Sequence, residues 1–598
     1  MKLGRVVMIT VALLAVSGAV VLAAYEAEAK KAASLAAYAP PGALMVLESG
    51  DFAGLLKSWN GSEEQKRWLK SANFTGFANS RLFGRLGDAQ NGYASLSGVG
   101  ADGEFLKQVA GGESLFAWYD IGKLEFLYVT KMAPGEAEKI PLLAVKGDFE
   151  QRKVGDTVFY VKDGDASSSG DADASGDAPA KRGQTVAFAV RGDYVVLGTR
   201  EDLVAGALEL MQKPQERTLE HEGWYVQSVA AAGKRGDLRM TLNMSAVVKD
   251  PHFRSYWVQQ NITEMKQYSA VESDLYREDG RFREERVLVR TEAASAPVMS
   301  DLSAVTAYVP AGLGVYRAEA SPSADAVVGQ MEEKLLSRQA MAYRDRHVAP
   351  EVDLSTPASG DASDFEDRID APVVAVEARS ADVAMLRKMV TDEPVKAMLV
   401  FATAQGAAAD EAGLFRATHA GVVLEAEQPW KVEAIEESVR AAMAARVSVG
   451  EHGLSWSEHK EASGSWVELS GMTGLAMAVR GKECVVATDG ATLQEMLKAR
   501  DGAKVEPRMA AVMAGFSQTG EREPMERLAA VLDRQKTKAK TPADGGMESE
   551  EAQGTPAFFS GDMASLSDAF RDLDSETFVA SAGKGSITHQ TVVYAWRR

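Results

Sequence analysis

Ala187 to Thr199 reads AFAVRGDYVVLGT and Ala476 to Thr488 reads AMAVRGKECVVAT; the two align without a gap and share seven of thirteen residues. In each, a strand-like run stops at Arg-Gly (Arg191-Gly192 and Arg480-Gly481), resumes with β-branched residues, and gives way to a helical pattern, LVAGALELM or LQEMLKA. That is a hairpin feeding a helix, written twice. Thr199 with Asp202 predicts a capping-box start for the first helix, and Thr488 or Asp489 predicts a cap for the second.

Weaker echoes extend the match in both directions. Tyr38, Pro40 and Gly42 ahead of LMVLES correspond to Tyr308, Pro310 and Gly312 ahead of VYRAE, and Arg239-Met240 resembles Arg508-Met509. Asp279-Gly280 predicts a hairpin turn before RFREERVLVR, and Gly585 leads into SITHQTVVYAW near the other end. The expected body is therefore two related halves from an internal duplication, residues 39–300 and 301–598, too long to be solenoid repeats. Strand patterns (SLFAWYD, KLEFLYVT, TVFYVK, RMTLNM, ERVLVR) come in adjacent pairs. Helical spacing runs over Asp51 to Ala72, with Phe52, Leu55, Leu56 and Trp59, and over Val432 to Ala445. The expected class is α+β, with largely antiparallel sheets packed with helices. Segments 163–183, 349–370 and 536–556 are rich in Ala, Ser, Gly, Asp and Glu and predict flexible loops.

Composition bounds the function. The chain has 598 residues, 66 Lys plus Arg against 85 Asp plus Glu, and a formal charge of −19. That sign argues against nucleic acid as a partner. A single cysteine, Cys484, permits neither an intrachain disulfide nor a cysteine zinc cage.

At the N-terminus, Lys2 and Arg5 precede an uncharged run, Val6 to Ala24 (VVMITVALLAVSGAVVLAA), before Glu26 and Glu28. Residues 1–24 read as an export signal. As a helix the run would extend roughly 28 Å, near the thickness of a hydrocarbon core, while Val21-Leu22-Ala23 and Ala27-Glu28-Ala29 offer small residues to a signal peptidase. Anchor and cleaved peptide both remain open. No cysteine near Ala24 offers a lipid attachment, and no later stretch of that length is free of charge. Positive-inside logic keeps Lys2 and Arg5 in the cytoplasm and places the body across the membrane. Residues 25–38 read as a helical stalk, with Glu26 and Lys30 at i,i+4 and Pro40-Pro41 as its stop.

Chemical motifs are sparse. The chain contains no G-x-S-x-G and no G-x-x-x-x-G-K-S/T. None of the seven histidines lies in H-E-x-x-H. His452 and His459, beside Glu451 and Glu458, are seven apart in a strand pattern, which sends them to opposite faces; with His419 they would matter only if folding gathered them with acids in a cleft. Asp171-Ala-Asp173-Ala-Ser175-Gly176 matches the opening of a calcium loop, but its twelfth position is Arg182. Cys484 stands where the first copy has Val195, which predicts a buried hydrophobe rather than a nucleophile. Trp59, Trp68, Trp118, Trp224, Trp257, Trp430, Trp456 and Trp466 lie in or beside apolar segments and read as core or as an aromatic groove. Arg277, Arg281, Arg283 and Arg286, interleaved with Glu278, Glu284 and Glu285, read as a solvated hairpin face. No catalytic, cofactor-binding or metal-binding residue is nominated, and no cofactor is expected.

The stretch YAPPGALMVLES together with AFAVRGDYVVLGT and the amphipathic helix after it resembles a family of exported, N-terminally anchored bacterial proteins classed only as domains of unknown function. The resemblance implies location and architecture and carries no catalytic residues. The expected function is a non-catalytic, membrane-anchored binding or scaffold protein of the bacterial envelope, single-pass in the inner membrane through Val6 to Ala24, with its body in the periplasm or outside the cell and with an envelope protein or an apolar ligand as partner. A hydrolase of envelope polymers and a carrier of lipid or another apolar ligand are the alternatives.

Overall fold

A computed structural model describes residues 34–79, 81–164, 184–213, 217–251, 253, 262–292, 294–336, 383–403, 419–444, 455–461, 464–470, 475–522 and 571–597. The apolar run Val6 to Ala24, nearly all of the expected stalk, the calcium-like loop, His452, Trp257 and the segments 349–370 and 536–556 lie outside them. The chain divides into two compact units, Met1–Ser58 with Arg85–Tyr256, and Trp59–Gly84 with Trp257–Arg598. Compactness thus groups residues 59–84 and 257–300 with the second unit.

The first unit carries strands β1 Met45–Ser49, β2 Ser114–Asp120, β3 Glu125–Lys131, β4 Glu150–Val154, β5 Thr157–Asp163, β6 Thr185–Arg191, β7 Tyr194–Gly198 and β8 Leu238–Leu242. Every neighbouring pair is antiparallel, in the order β8-β1-β2-β3-β7-β6-β5-β4. The second unit carries β9 Tyr268–Glu278, β10 Arg281–Arg290, β11 Ser300–Asp301, β12 Val315–Ala320, β13 Val395–Thr403, β14 His419–Ala426, β15 Ser455–Glu461, β16 Gly464–Ser470, β17 Leu475–Arg480, β18 Glu483–Ala487, β19 Met509–Ala510, β20 Val512–Ser517, β21 Leu573–Ala582 and β22 Ile587–Trp596. Its large sheet is antiparallel throughout, in the order β9-β10-β22-β21-β20-β12-β13-β14-β18-β17-β16-β15, and β11 pairs with β19 separately.

From β20 to β15 the second sheet repeats the strand order of the first, and the registers agree as well. Placing Tyr38 on Tyr308 puts Leu47 on Arg317. Leu47 faces Phe116, which faces Tyr128, which faces Leu197; Arg317 faces Val400, then Val422, then Val486. Leu197 and Val486 are the eleventh residues of AFAVRGDYVVLGT and AMAVRGKECVVAT. Two sequence matches far apart in the chain are thus joined by three steps of backbone pairing without a slip. Arg239-Met240 and Arg508-Met509 do not correspond in this way. Arg239 and Met240 lie on β8, whereas Met509 lies on the small β11–β19 ladder.

The central strands of both sheets are covered on both faces. In the first unit Val196, Ala187, Ala189, Leu115 and Leu127 pack with Leu203, Val204 and Leu208 of α6 (Glu201–Gln212). Val195, Leu197, Val186 and Phe188 pack on the other face with Tyr93 of α4 (Arg81–Ser97) and Val109 of α5 (Gly103–Val109). In the second unit Val423, Val485 and Ala476 pack with Leu493, Met496 and Leu497 of α11 (Gly490–Gly502). Val422, Val486, Cys484 and Met477 pack on the opposite face with α8 (Ala324–Met331), α9 (Ala384–Asp392) and α10 (Val432–Ala444). Coverage of both faces explains strands such as Tyr194–Gly198 that are apolar at successive positions rather than alternating.

Local expectations fare unevenly. Gly192 and Gly481 both adopt positive φ, 57° and 65°, as the Arg-Gly turns require. Asp489 caps α11, accepting from the Thr492 amide at 2.8 Å. Thr199 does not cap α6: the N-cap is Arg200, without a side-chain cap, and Asp202 pairs with Arg200. Thr199 Oγ1 instead accepts the Phe126 amide at 2.9 Å, and Thr488 Oγ1 accepts the Ala420 amide at 3.1 Å at the equivalent place. The shared threonine serves a strand contact. The helical spacing over 51–72 breaks at Gly61-Ser62 into α1 (Phe52–Asn60) and α2 (Glu63–Lys70), because Ser62 accepts the Gln65 amide and starts a new helix. A third short helix, α3 (Ala72–Ala78), follows. No helix among the described residues is long and apolar enough to cross a membrane.

Two neighbouring glycines offer a test of the packing. Gly312 and Gly314 have φ of 72° and 71°, but only at Gly314 would a Cβ meet a neighbour, 2.3 Å from Phe401 Cε2 and 2.6 Å from the Ala402 carbonyl. Gly312→Ala should lower stability by about 1–2 kcal/mol and Gly314→Ala by about 2–4 kcal/mol, read as urea midpoints followed by tryptophan fluorescence. Equal losses would mean that the approach of Gly314 to Phe401 does not limit packing.

Candidate functional site

In the first unit, three short segments bring polar residues to one end of the sheet. Glu48 sits on β1 among apolar neighbours and is 3% exposed. Its Oε2 accepts the Tyr225 hydroxyl, from α7 (Gly223–Ala232), at 2.8 Å, and Arg235 Nη1 lies 3.8 Å from Oε1. Arg235 also lies 3.5 Å from Glu113, and Arg239 on β8, facing Glu48 across the ladder, is itself buried. Burial pushes the Glu48 carboxyl above its ordinary value, against the opposing pull of the Tyr225 hydrogen bond, Arg235 and Arg239. Tyr225 is pushed up by burial and further by Glu48.

Beside this cluster, buried hydroxyls form a chain. Ser114 Oγ lies 2.6 Å from Thr130 Oγ1, Thr130 Oγ1 accepts the Gly111 amide at 3.1 Å, and the Tyr128 hydroxyl donates to the Val109 carbonyl at 3.1 Å. Gly111 leaves no room for a side chain, since a Cβ there would sit 2.3 Å from Thr130 Oγ1 and 2.4 Å from the Lys131 carbonyl. Gly111 and Gly112 form one wall of a cavity of about 360 Å³, with Ala53, Ala110, Met132 and Ala133 as apolar lining and Lys107, Lys139 and Glu136 at its polar positions. Both lysines are engaged nearby, Lys107 with Glu104 at 2.5 Å and Lys139 with Glu136 at 2.6 Å. That volume lies in the range of small-ligand sites, and a largely apolar wall with ion pairs at its polar positions suits a small amphipathic ligand.

The residues singled out from sequence are dispersed. His419 Nδ1 lies 2.7 Å from Asp489 Oδ2. Asp489 also receives hydrogen bonds from the Thr492 amide and from the Thr492 and Thr488 hydroxyls. Burial raises the Asp489 carboxyl, and these donors together with His419 outweigh it and hold it below the usual range. The pair therefore reads as a helix cap. His459 stacks on Trp466 directly across the β15–β16 ladder, ring centroids 4.0 Å apart, with Nε2 3.2 Å from Glu468 Oε2. Folding does not gather His419 and His459 at one cleft, and His452 lies outside the described residues.

Cys484 is buried in the second core, which pushes its thiol up to about 12, as expected of a packed hydrophobe. Trp430 and Trp466 are buried, and Trp59 is exposed. Of the hairpin arginines, expected on a solvated face, Arg283 and Arg286 are half-buried where β10 pairs with both β9 and β22; Arg283 pairs with Glu278 at 2.8 Å and Glu285 at 2.6 Å, and Arg286 with Glu284 at 2.7 Å. Among the described residues no group of three metal-ligating side chains is poised around a common point. Sequence reading missed Glu48, Tyr225 and Arg235. Their one signal was a carboxylate inside the apolar strand MVLES.

Glu48 makes stability depend on pH in a definite direction. Its folded value is raised, so the folded chain binds a proton more tightly than the unfolded chain. Stability from that proton is full below about 4.5 and is lost as pH rises through the folded value. Glu48→Gln should remove this loss, so the variant should gain urea resistance relative to wild type as pH increases from 4 toward 7. A difference that does not change with pH would mean that Arg235 and Arg239 already hold Glu48 ionised.

No family model matches this chain, and no curated protein matches it. Among solved structures, crystal form III of TP0453 is similar over 44% of this chain and 82% of that one, with 9% sequence identity and a TM-score of 0.23. A likeness at that level establishes neither a shared fold nor a shared function.

Proposed function

We propose that the protein is a membrane-tethered binding or scaffold protein of the bacterial envelope, held by Val6 to Ala24, with a body that arose by duplication of one antiparallel unit and works outside the cytoplasm. The observation that carries this reading is the agreement of strand order and register between the two units, joined to their chemical divergence. At the repeated turn, Asp193 of the first unit corresponds to Lys482 of the second, and Tyr194 to Glu483. A retained frame with altered polar groups is what two binding surfaces with different partners require. The apolar run behind Lys2 and Arg5 supports the tether.

A second reading is favoured by one observation. The cavity beside Gly111 and Gly112, with its largely apolar wall, suits a carrier of a small amphipathic ligand in the first unit.

Native mass spectrometry of the full chain, gently extracted from its own membranes, separates the two. The scaffold reading expects Met1 to Ala29 retained and a protein partner at fixed stoichiometry. A processed chain bearing a small amphipathic adduct, lost on Gly112→Leu, would replace it with the carrier.

A further inference from the structure

Between α1 and α4 the chain leaves the first unit, and residues 59–84 group with the second. This excursion is built to be ordered. Ser62 and Ser71 each accept an amide at a helix start, from Gln65 and Phe74, and an aromatic cluster braces it. Trp68 meets Phe74 edge-on at 6.2 Å, Phe74 meets Phe83 at 6.2 Å, and Phe83 meets Phe77 at 5.4 Å. Yet Trp59, Leu69 and Phe77 stand 48%, 49% and 42% exposed. A braced helical segment that keeps large apolar side chains in water carries a cost without a folding benefit, which marks an interaction face.

Its charge indicates what covers that face. In a chain of net charge −19, residues 59–84 hold Lys66, Arg67, Lys70 and Arg81 against Glu63 and Glu64. Lys66 and Lys70 are one turn apart on α2 and flank Leu69. Exposed Trp59, Leu69 and Phe77 on three successive helices, with Lys70 and the Glu63-paired Lys66 beside Leu69, suit a membrane surface, the apolar side chains among the acyl chains and the amines at the headgroups. We propose that residues 59–84 dock on a bilayer containing anionic phospholipid. The inference rests on the tethered reading above, because a chain held by Val6 to Ala24 keeps its body beside a lipid surface.

The full chain, reconstituted into vesicles, tests this with an environment-sensitive fluorophore on Leu69→Cys or Phe77→Cys in a Cys484→Val background, since valine stands at the equivalent position of the first unit. Met509→Cys, at a site 58% exposed, is the control. With phosphatidylglycerol in the vesicles, spin-labelled lipid should quench the fluorophore at 69 and 77 several-fold more than at 509. Lys66→Glu and Lys70→Glu should each weaken that contact roughly fivefold. Equal quenching at all three positions overturns the proposal. So does quenching that is unchanged in vesicles of phosphatidylcholine alone, or a fluorophore shift that needs only a higher protein concentration and no lipid, which would assign the face to a second copy. Alkaline extraction reads the tether separately: a chain that washes off while 69 and 77 are still quenched in its presence retains the docking face and loses the anchor.

Discussion

A strand covered on both faces has no solvent side on which to place a polar residue, so each polar group it carries must be paired inside the protein. In both units the central strands meet this condition, with one core on each face. The condition accounts for the apolar runs at β6, β7, β17 and β18. It also accounts for how two exceptions are held: Glu48 meets Tyr225, Arg235 and the field of Arg239, and Ser114 and Thr130 meet each other. Removing one member of such a set strands another in a dry environment, which costs more than the contact contributes.

The same burial decides how much could be read from sequence. The repeated hairpin was legible because Arg-Gly turns need positive φ and the flanking β-branched residues need a core, and both signals are local. The antiparallel class followed from paired strand patterns. Other features depend on distant chain. Whether Thr199 caps its own helix or serves a strand is settled by Phe126, far away in sequence. A carboxylate in MVLES looks the same to a reader whether it faces water or a buried arginine. The expected helix over 51–72 failed at a local feature, Ser62, whose capping role competes with helix continuation after Gly61.

The polar pairs at the repeated turn show how one frame takes on different chemistry. In the first unit Tyr38 meets Tyr194 edge-on at 5.8 Å, with Lys131 above the Tyr194 ring. At the equivalent corner of the second, the Tyr308 hydroxyl donates to Glu483 at 2.6 Å, and Arg500 lies 3.2 Å from the same carboxylate and over the Tyr308 ring. The first corner holds an aromatic contact and the second an ion network, with a tyrosine and a partner strand at corresponding places in each. Burial raises the Tyr308 hydroxyl, and Glu483 raises it further, so it remains a donor at neutral pH.

Glu483, at the place where the first unit has Tyr194, finds a hydroxyl and a cation within reach because the backbone holds Tyr308 and Arg500 in position. The agreement of register from Tyr38 to Leu197 and from Tyr308 to Val486 supplies that condition. The frame therefore constrains which side chains can change together, and the first unit's Glu48 cluster is the clearest case. A buried carboxylate at that position needs Tyr225 and Arg235 from two further segments, whereas Ala318 needs none. Such a cluster is stable in a packed unit only as a set, since any member left alone would be a buried polar group without its partner.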